Sequence, residues 1–268
     1  MLDFLITPFY IFGIAIWNLM LALIGATSAQ TPMSFSGGTW YYISNTLYPG
    51  FFGIGATLMN TFFLIGYFRQ VSNLKENFTL EIFIESCIKV VVANAMMVSG
   101  LLIMDQVFGI AGDLTGIILN ETPITFSQAD FDAGAKLFYM LFGIIFFVVC
   151  LVCSATVFLV VYGRYLDLYL LVLAMPVAMS TLPGGHGISQ TAFSWVKTFL
   201  SKTFSIVVIA IALVIASRLC NSISFGSLSG IGGILDGAIQ ALQNMFTMIL
   251  LAASVKGADT FMRRTFGL

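Results

Sequence analysis

The sequence predicts an all-α, polytopic transmembrane protein, and its composition and charge distribution are the observations that predict it. Hydrophobic residues make up 59% of the 268 residues and charged residues 9%, against about 25% charged in a typical soluble domain. No charged residue lies between Asp3 and Arg69. A bilayer core about 30 Å thick needs about 20 apolar helical residues to cross it, and a helix satisfies its own backbone in lipid. A soluble domain and a disordered chain are both excluded.

Polar connections separate the first four apolar segments. These segments are predicted at 4–26, 47–68, 82–104 and 137–163. In the second segment, Gly50, Gly53 and Gly55 would let another helix approach closely. The connection at 105–136 carries five carboxylates against one lysine, and we expect it to face outward.

Proline and glycine interrupt the second half of the chain. Residues 168–182 are apolar but short and contain Pro176, and the following Pro-Gly-Gly-His-Gly cluster cannot continue a helix. Residues 188–202 have the two-faced pattern of an amphipathic helix lying in the headgroup plane. Apolar segments at 203–217 and 238–255 and a basic tail follow. The domain prediction is one integral-membrane domain over 1–268, made of N-terminal helices (4–104), the acidic connection (105–136) and a C-terminal helical core (137–268).

The distribution of Lys and Arg predicts the number of crossings. If 168–182 dips into the membrane and returns, six segments cross and 188–202 lies at the interface. Eight basic residues then face the cytoplasm: Arg69, Lys75, Arg164, Lys197, Lys202, Lys256, Arg263 and Arg264. Only Lys136 and Arg218 lie near the outer face, whereas seven crossings would move five of the eight outside. The sequence therefore predicts about six spans, a re-entrant or broken helix, an interfacial helix and two cytoplasmic termini.

No motif for catalysis or cofactor binding is present in the sequence. The single histidine, His186, has no Glu or Cys at metal-ligand spacing, and neither a P-loop nor a nucleophile elbow occurs. Cys150 and Cys153 lie within an uncharged helical run and are interpreted as packing residues. Glu85 and Lys89, four residues apart, are interpreted as an ion pair at a helix end. We expect a protein that is not an enzyme and that has no cofactor and no metal.

The stretch from Tyr162 to Arg218 carries motifs of a known family. It begins Y-G-R-Y-L-D-L-Y-L-L-V-L-A-M-P-V-A-M-S-T-L-P-G-G and continues with a Ser/Thr-rich Trp-Val-Lys helix and an apolar helix. It resembles the TrbL-like conjugal-transfer proteins, which are polytopic inner-membrane subunits of type IV secretion systems. The matching positions are Arg164, Tyr165, Ala174, Pro176, Pro183, Gly184, Gly185 and Lys197. The C-terminal stretch 255–268 also resembles the ending of short, Gram-positive members.

The resemblance implies a channel or scaffold subunit of the bacterial cytoplasmic membrane that helps move DNA, or a DNA–protein complex, during conjugation. It implies transfer ATPases and other type IV secretion subunits as partners, and a homo-oligomer around the transfer path. Transient single-stranded DNA and membrane lipid are the other expected partners. The energy would come from the ATPases, because this sequence has no nucleotide-binding motif.

Three groups of residues are candidate sites. The re-entrant break, with a partner contact, is assigned to Pro176, Pro183, Gly184, Gly185 and His186. Pore-facing glycines are assigned to Gly226, Gly230, Gly232, Gly233 and Gly237. A basic cytoplasmic mouth is assigned to Lys197, Lys202, Arg263 and Arg264. An ordinary bend between two spanning helices and a plain outer loop are the alternatives for the first two groups.

Two other functional classes are open at this point. One is a permease or export subunit for a small molecule or peptide, and the other is a membrane immunity or adaptor protein with no transport path. A gene neighbourhood that holds a transfer ATPase, a coupling protein and a relaxase would separate conjugation from both. Substrate-dependent transport by the purified protein alone would favour the permease.

Overall fold

The computed structural model describes residues 3–73, 80–119, 133–185, 187–222 and 234–267. Within those ranges the chain is helical and contains no strand. The helices are α1 (Asp3–Ser28), α2 (Pro32–Phe35), α3 (Gly37–Tyr42), α4 (Tyr48–Asn73), α5 (Leu80–Leu119), α6 (Ala133–Ser180), α7 (Gln190–Ser222) and α8 (Ile234–Thr265). A π-helical turn, Ile43–Leu47, joins α3 to α4, and a 3₁₀ turn, Leu182–Gly184, follows α6.

Six helical stretches in the described ranges are long and apolar enough to cross a bilayer. They are Phe9–Ser28, Gly37–Arg69, Phe83–Leu119, Phe142–Gly184, Gln190–Leu219 and Leu242–Thr265. The shortest has 20 residues, and at 1.5 Å per residue its length is about 30 Å, which matches the hydrocarbon core. The prediction of an all-α, multi-pass membrane protein with six spans is confirmed.

Helix α6 unites two elements that the sequence predicts to be separate. The span at 137–163 and the re-entrant segment at 168–182 are joined by a helix that runs through Arg164 and ends at Ser180. Arg164 is only 6% exposed, so the charge that ends the uncharged run is buried against protein and does not end the helix. The two predicted elements are therefore parts of one helix, and the stretches before and after the turn are each long enough to span. The re-entrant position of 168–182 stays a prediction.

The two-faced helix predicted at 188–202 is the first part of α7. Ala192 and Phe199, on its apolar side, are buried in a protein core, whereas Gln190 and Lys197 are exposed. The apolar side therefore packs against this core, and the segment continues into the next apolar stretch without a break. Its position in the headgroup plane stays a prediction.

Helix α5 extends the third predicted segment, 82–104, through residues 105–119. These residues were expected in the outward connection 105–136, and they belong to a helix instead. Asp105 and Asp113 are two isolated carboxylates in a mostly apolar sequence, and they do not interrupt the helical backbone. The rest of that connection, up to α6, lies outside the described residues.

The chain forms two compact units, each with its own hydrophobic core. Unit 1 comprises the described parts of Met1–Ala29, Gly112–Gly163 and Ser205–Met262. Its core is built from one apolar stripe on each of α1, α6, α7 and α8, and the residues of a stripe follow one another at helical spacing. The stripe of α1 is Tyr10, Ile14, Trp17, Leu21 and Ile24.

Close packing in unit 1 requires small residues where its helices meet. The rings of Tyr10 and Phe146 lie 4.7 Å apart, and a Cβ atom at Gly13 would lie 3.3 Å from the Cys150 Sγ. The Cys150 Sγ is in turn 3.2 Å from the Met248 Sδ. The interpretation of Cys150 as a packing residue is confirmed, since it is fully buried and is a free thiol.

Unit 2 comprises the described parts of Gln30–Ala111, Arg164–Phe204 and Arg263–Leu268. Its core is rich in methionine and in aromatic residues. The Tyr48 hydroxyl on α4 donates to the Met97 carbonyl on α5 at 3.0 Å and lies 3.7 Å from the Met175 Sδ on α6. One buried hydroxyl therefore links three helices.

The packing of unit 1 predicts that its thiols are protected. We expect N-ethylmaleimide to modify Cys87, which is partly exposed, about tenfold faster than the buried Cys150 in the folded protein. Site-resolved mass spectrometry after timed alkylation in detergent measures both rates. Denaturant is the control and should make the rates equal. Equal rates in the folded protein would contradict this packing.

Candidate functional site at the α6–α7 turn

The chain reverses between α6 and α7 in a compact, hydrogen-bonded turn. The hydroxyls of Ser180 and Thr181 donate to carbonyls three residues earlier, at 2.6 and 2.7 Å. The Gly184 N–H donates to the Thr181 carbonyl at 3.0 Å. Gly185 and Gly187 have φ angles of +78° and +94°, which side chains rarely tolerate. Thus the glycines allow the reversal, and the hydroxyls satisfy carbonyls that the ending helix leaves open.

Two glycines of α4 bring its backbone against this turn. A Cβ atom at Gly55 would lie 2.7 Å from the Pro176 carbonyl oxygen. A Cβ atom at Gly66 would collide with the Pro183 carbonyl oxygen and lie 3.0 Å from the Gly184 carbonyl carbon. The predicted close approach is therefore confirmed at Gly55. At Gly50 and Gly53 nothing lies within 4 Å of such a Cβ atom.

Two tyrosines of α6 hold the segment that precedes α4. The Tyr165 hydroxyl donates to the Gln30 carbonyl at 3.1 Å, and the Tyr169 hydroxyl donates to the Pro32 carbonyl at 2.7 Å. The Tyr165 ring is stacked on Phe35, with 4.1 Å between ring centroids. Because the tyrosines are four residues apart, they lie on one face of α6 and act as a pair.

A tryptophan of α7 fixes the two helices that flank the turn. The Trp195 Nε1 donates to the Leu171 carbonyl on α6 at 3.0 Å. Its ring is stacked on Phe199 at 5.2 Å, and Phe199 contacts Phe108 of α5 at 5.4 Å. The Trp-Val-Lys motif therefore supplies a structural anchor for the turn.

Arg164 is a buried cation one helical turn before Asp167. Its guanidinium carbon lies 5.3 Å from the centroid of the Tyr165 ring. Its Nε and Nη1 atoms are buried, and neither has a hydrogen-bond partner among the residues that the structure describes. An ionisable group buried within a membrane span is costly, and such groups mark functional sites by default.

Unit 2 contains a cleft of about 540 Å³. Its lining residues come from α6, the first part of α7 and the end of α8: Asp167, Leu170, Leu171, Ala174, Thr198, Ser201, Lys202 and Arg263. The Lys202 Nζ lies 2.8 Å from the Asp167 Oδ2. The Lys202 side chain is 14% exposed and that of Asp167 is 46% exposed, so the ion pair is partly shielded from solvent.

The structure describes parts of two of the three predicted groups of site residues, the re-entrant break and the basic mouth. Pro176, Pro183, Gly184 and Gly185 of the break lie at or beside the turn, whereas His186 lies outside the described residues. Lys202 and Arg263 of the basic mouth line the cleft. Lys197 and Arg264 are exposed and do not line it.

The predicted pore-facing glycines fall largely outside the described residues. This is the case for Gly226, Gly230, Gly232 and Gly233, while the backbone of Gly237 belongs to α8. Sequence reasoning missed Gly66, Tyr169 and Asp167. Two of them had a signal in the sequence. Tyr169 follows Tyr165 by four residues, and Gly66 follows Gly55 by about three helical turns.

The glycine contact predicts a position-specific cost of adding a methyl group. We expect Gly66→Ala to destabilise the protein by about 1–3 kcal/mol, because the new atom meets turn backbone that has no room to move. Gly53→Ala on the same helix is the control. It should be neutral or stabilising by up to about 1 kcal/mol, since alanine favours helix. Thermal unfolding in detergent checks both, and equal effects would contradict the close approach.

The unsatisfied guanidinium predicts a gain of stability when Arg164 is replaced. We expect Arg164→Met to stabilise the folded protein by about 1–3 kcal/mol, because buried unpaired donors are removed while the volume is retained. The control, Arg264→Met, changes an exposed residue and should stay within about 0.5 kcal/mol. Thermal unfolding midpoints measure this. A lower midpoint for Arg164→Met alone would mean that the guanidinium has a stabilising partner.

The chain has no counterpart in the comparisons with known proteins. No family model, no curated protein and no solved structure matches it. The function is therefore argued from the residues themselves.

Proposed function

We propose that this chain is a channel or scaffold subunit of a conjugative type IV secretion machine in a bacterial cytoplasmic membrane. The observation that supports this most is the arrangement of the motif that resembles TrbL-like proteins. Its residues form one packed node in unit 2: Tyr165 anchors the segment before α4, and Pro176 and Pro183 contact the glycines of α4. Within the stretch itself, the Trp195 Nε1 donates to the Leu171 carbonyl, so its two helices contact each other.

The apolar exterior supports assembly with other membrane helices. Large hydrophobic side chains are exposed along α4 and α5, including Ile54, Leu64, Phe68, Val91, Val98 and Leu102. In a bilayer these side chains contact lipid or a neighbouring helix. The two cores are filled by apolar side chains, whereas a path for single-stranded DNA needs basic grooves or aromatic platforms. We therefore assign the path to the interface between subunits, with transfer ATPases as the energy source.

One observation favours a second candidate, an export permease for an anionic small molecule. Transporters carry buried ionisable residues in their spans for substrate or ion coupling. Arg164, whose buried Nε and Nη1 have no hydrogen-bond partner among the described residues, is a residue of this kind. The permease differs from the conjugation subunit in that the purified chain would transport its substrate without partners.

Conjugation frequency tests the proposal directly. We expect deletion of the gene in a donor cell to reduce DNA transfer to background and the intact gene to restore it. Lys197→Gln should lower transfer about fivefold, because one basic group near an anionic surface contributes about 1 kcal/mol. Lys256→Gln is the matched control, since it removes an exposed lysine outside the predicted mouth and should transfer normally at equal protein level.

Normal transfer by the deletion strain would contradict the proposal. Uptake of a radiolabelled anion by liposomes that contain only this protein would favour the permease instead. Photo-crosslinking from residues 226–237 to the transferred strand separates the two conjugation roles. Crosslinks indicate a channel, and their absence during active transfer indicates a scaffold.

A further inference from the structure

The cleft lined by α6, α7 and α8 combines charge with an apolar wall. Of the described residues that line it, Lys202 and Arg263 are cationic and Asp167 is anionic. The Ser201 hydroxyl adds a neutral hydrogen-bonding group, whereas the Thr198 hydroxyl already donates to the Ser194 carbonyl at 2.8 Å. The described lining therefore has one more positive than negative charge, which suits a phosphate group.

The apolar wall is supplied by α6. Leu170, Leu171 and Ala174 lie on the same side of the helix as Asp167. Leu170 is 64% exposed, although it lies in a stretch long and apolar enough to cross a bilayer. An exposed leucine beside a charged cleft offers a surface for an acyl chain next to a site for its headgroup.

Arg164 adds to the positive potential on this side of unit 2. It precedes Asp167 by three residues, so the two side chains share one face of α6. Its Nε and Nη1 atoms have no acceptor among the described residues. Among the described residues that line the cleft, two cations therefore accompany one carboxylate, Asp167.

We propose that this cleft binds an anionic glycerophospholipid, with the headgroup phosphate near Lys202 and Arg263 and an acyl chain along Leu170. Basic pockets between transmembrane helices take anionic headgroups in this way. Asp167 holds the Lys202 ammonium in place through the 2.8 Å ion pair, and Arg263 is the more accessible cation. The site does not depend on the conjugation role, because it follows from the cleft alone.

A nucleic-acid phosphate fits the same cleft less well. Binding of single-stranded DNA uses aromatic side chains on which bases stack, and no aromatic residue lines the cleft in the described part of the chain. The wall of leucine and alanine instead matches a hydrocarbon chain. An oligonucleotide therefore serves as a competing ligand in the test.

The test uses the full-length protein in detergent micelles doped with phosphatidylglycerol or with phosphatidylcholine of the same acyl chains. We expect phosphatidylglycerol to raise the unfolding midpoint more than phosphatidylcholine and to be retained in native mass spectra. Lys202→Gln and Arg263→Gln should each weaken its apparent affinity about fivefold. The control variants Lys197→Gln and Arg264→Gln remove exposed cations outside the cleft and should bind as the parent does.

Asp167→Asn should change the affinity for phosphatidylglycerol in the opposite direction. Removing the carboxylate raises the charge of the cleft by one, so phosphatidylglycerol should bind about fivefold more tightly. A folding defect would weaken binding in every variant, so this increase distinguishes electrostatics from damage. If Lys202→Gln does not fold, Arg263→Gln still tests the contribution of a cleft cation to binding.

Three results would overturn the proposal. The first is equal stabilisation by phosphatidylcholine and phosphatidylglycerol. The second is equal stabilisation by inorganic phosphate or by a single-stranded oligonucleotide, which would assign the cleft to a free anion or to nucleic acid. The third is the same loss of affinity in the control variants as in the cleft variants.

Discussion

Within a membrane protein the backbone of a bend has to be covered by protein, and unit 2 is organised around this constraint. Pro176 has no N–H, so the Val172 carbonyl lacks its helical partner, and the turn that follows has further polar backbone. Helix α4 brings its own backbone against the Pro176 and Pro183 carbonyls. The approach is possible only because Gly55 and Gly66 have no side chain to hold the helices apart. The bend in one helix is therefore permitted by the sequence of another.

Aromatic side chains meet the same constraint elsewhere in unit 2. Tyr165 and Tyr169 donate to the carbonyls of Gln30 and Pro32, and Trp195 donates to a carbonyl of α6. Each ring contributes apolar area while its single polar atom finds a backbone acceptor. These residues therefore bring backbone groups into a core without leaving them unsatisfied. Arg164 differs, since it contacts the Tyr165 ring but two of its nitrogens have no hydrogen-bond partner in the described part of the chain.

Hydropathy was sufficient to predict the helical class, because lipid imposes it, and the distribution of Lys and Arg favoured six spans over seven. Helical spacing also predicted the ion pair of Lys89 with Glu85, whose atoms lie 2.7 Å apart. The sequence-based predictions failed where tertiary contacts override a local sequence pattern. Arg164 was expected to end a helix because it ends an apolar run, but the protein buries it. The cleft joins residues from three helices, and no pattern within one segment predicts such a meeting.

The two glycine contacts of α4 constrain the number of residues between the two glycines, which composition does not reveal. Gly55 and Gly66 face the same neighbour because the residues between them complete about three turns. Inserting or deleting one residue between them would rotate Gly66 by about 100° relative to Gly55 and present a bulky side chain to the turn. Substitutions on the exposed side of this stretch should therefore change the stability little, whereas insertions and deletions should lower it. The number of residues from Gly55 to Gly66 is set by the fold as firmly as the glycines themselves.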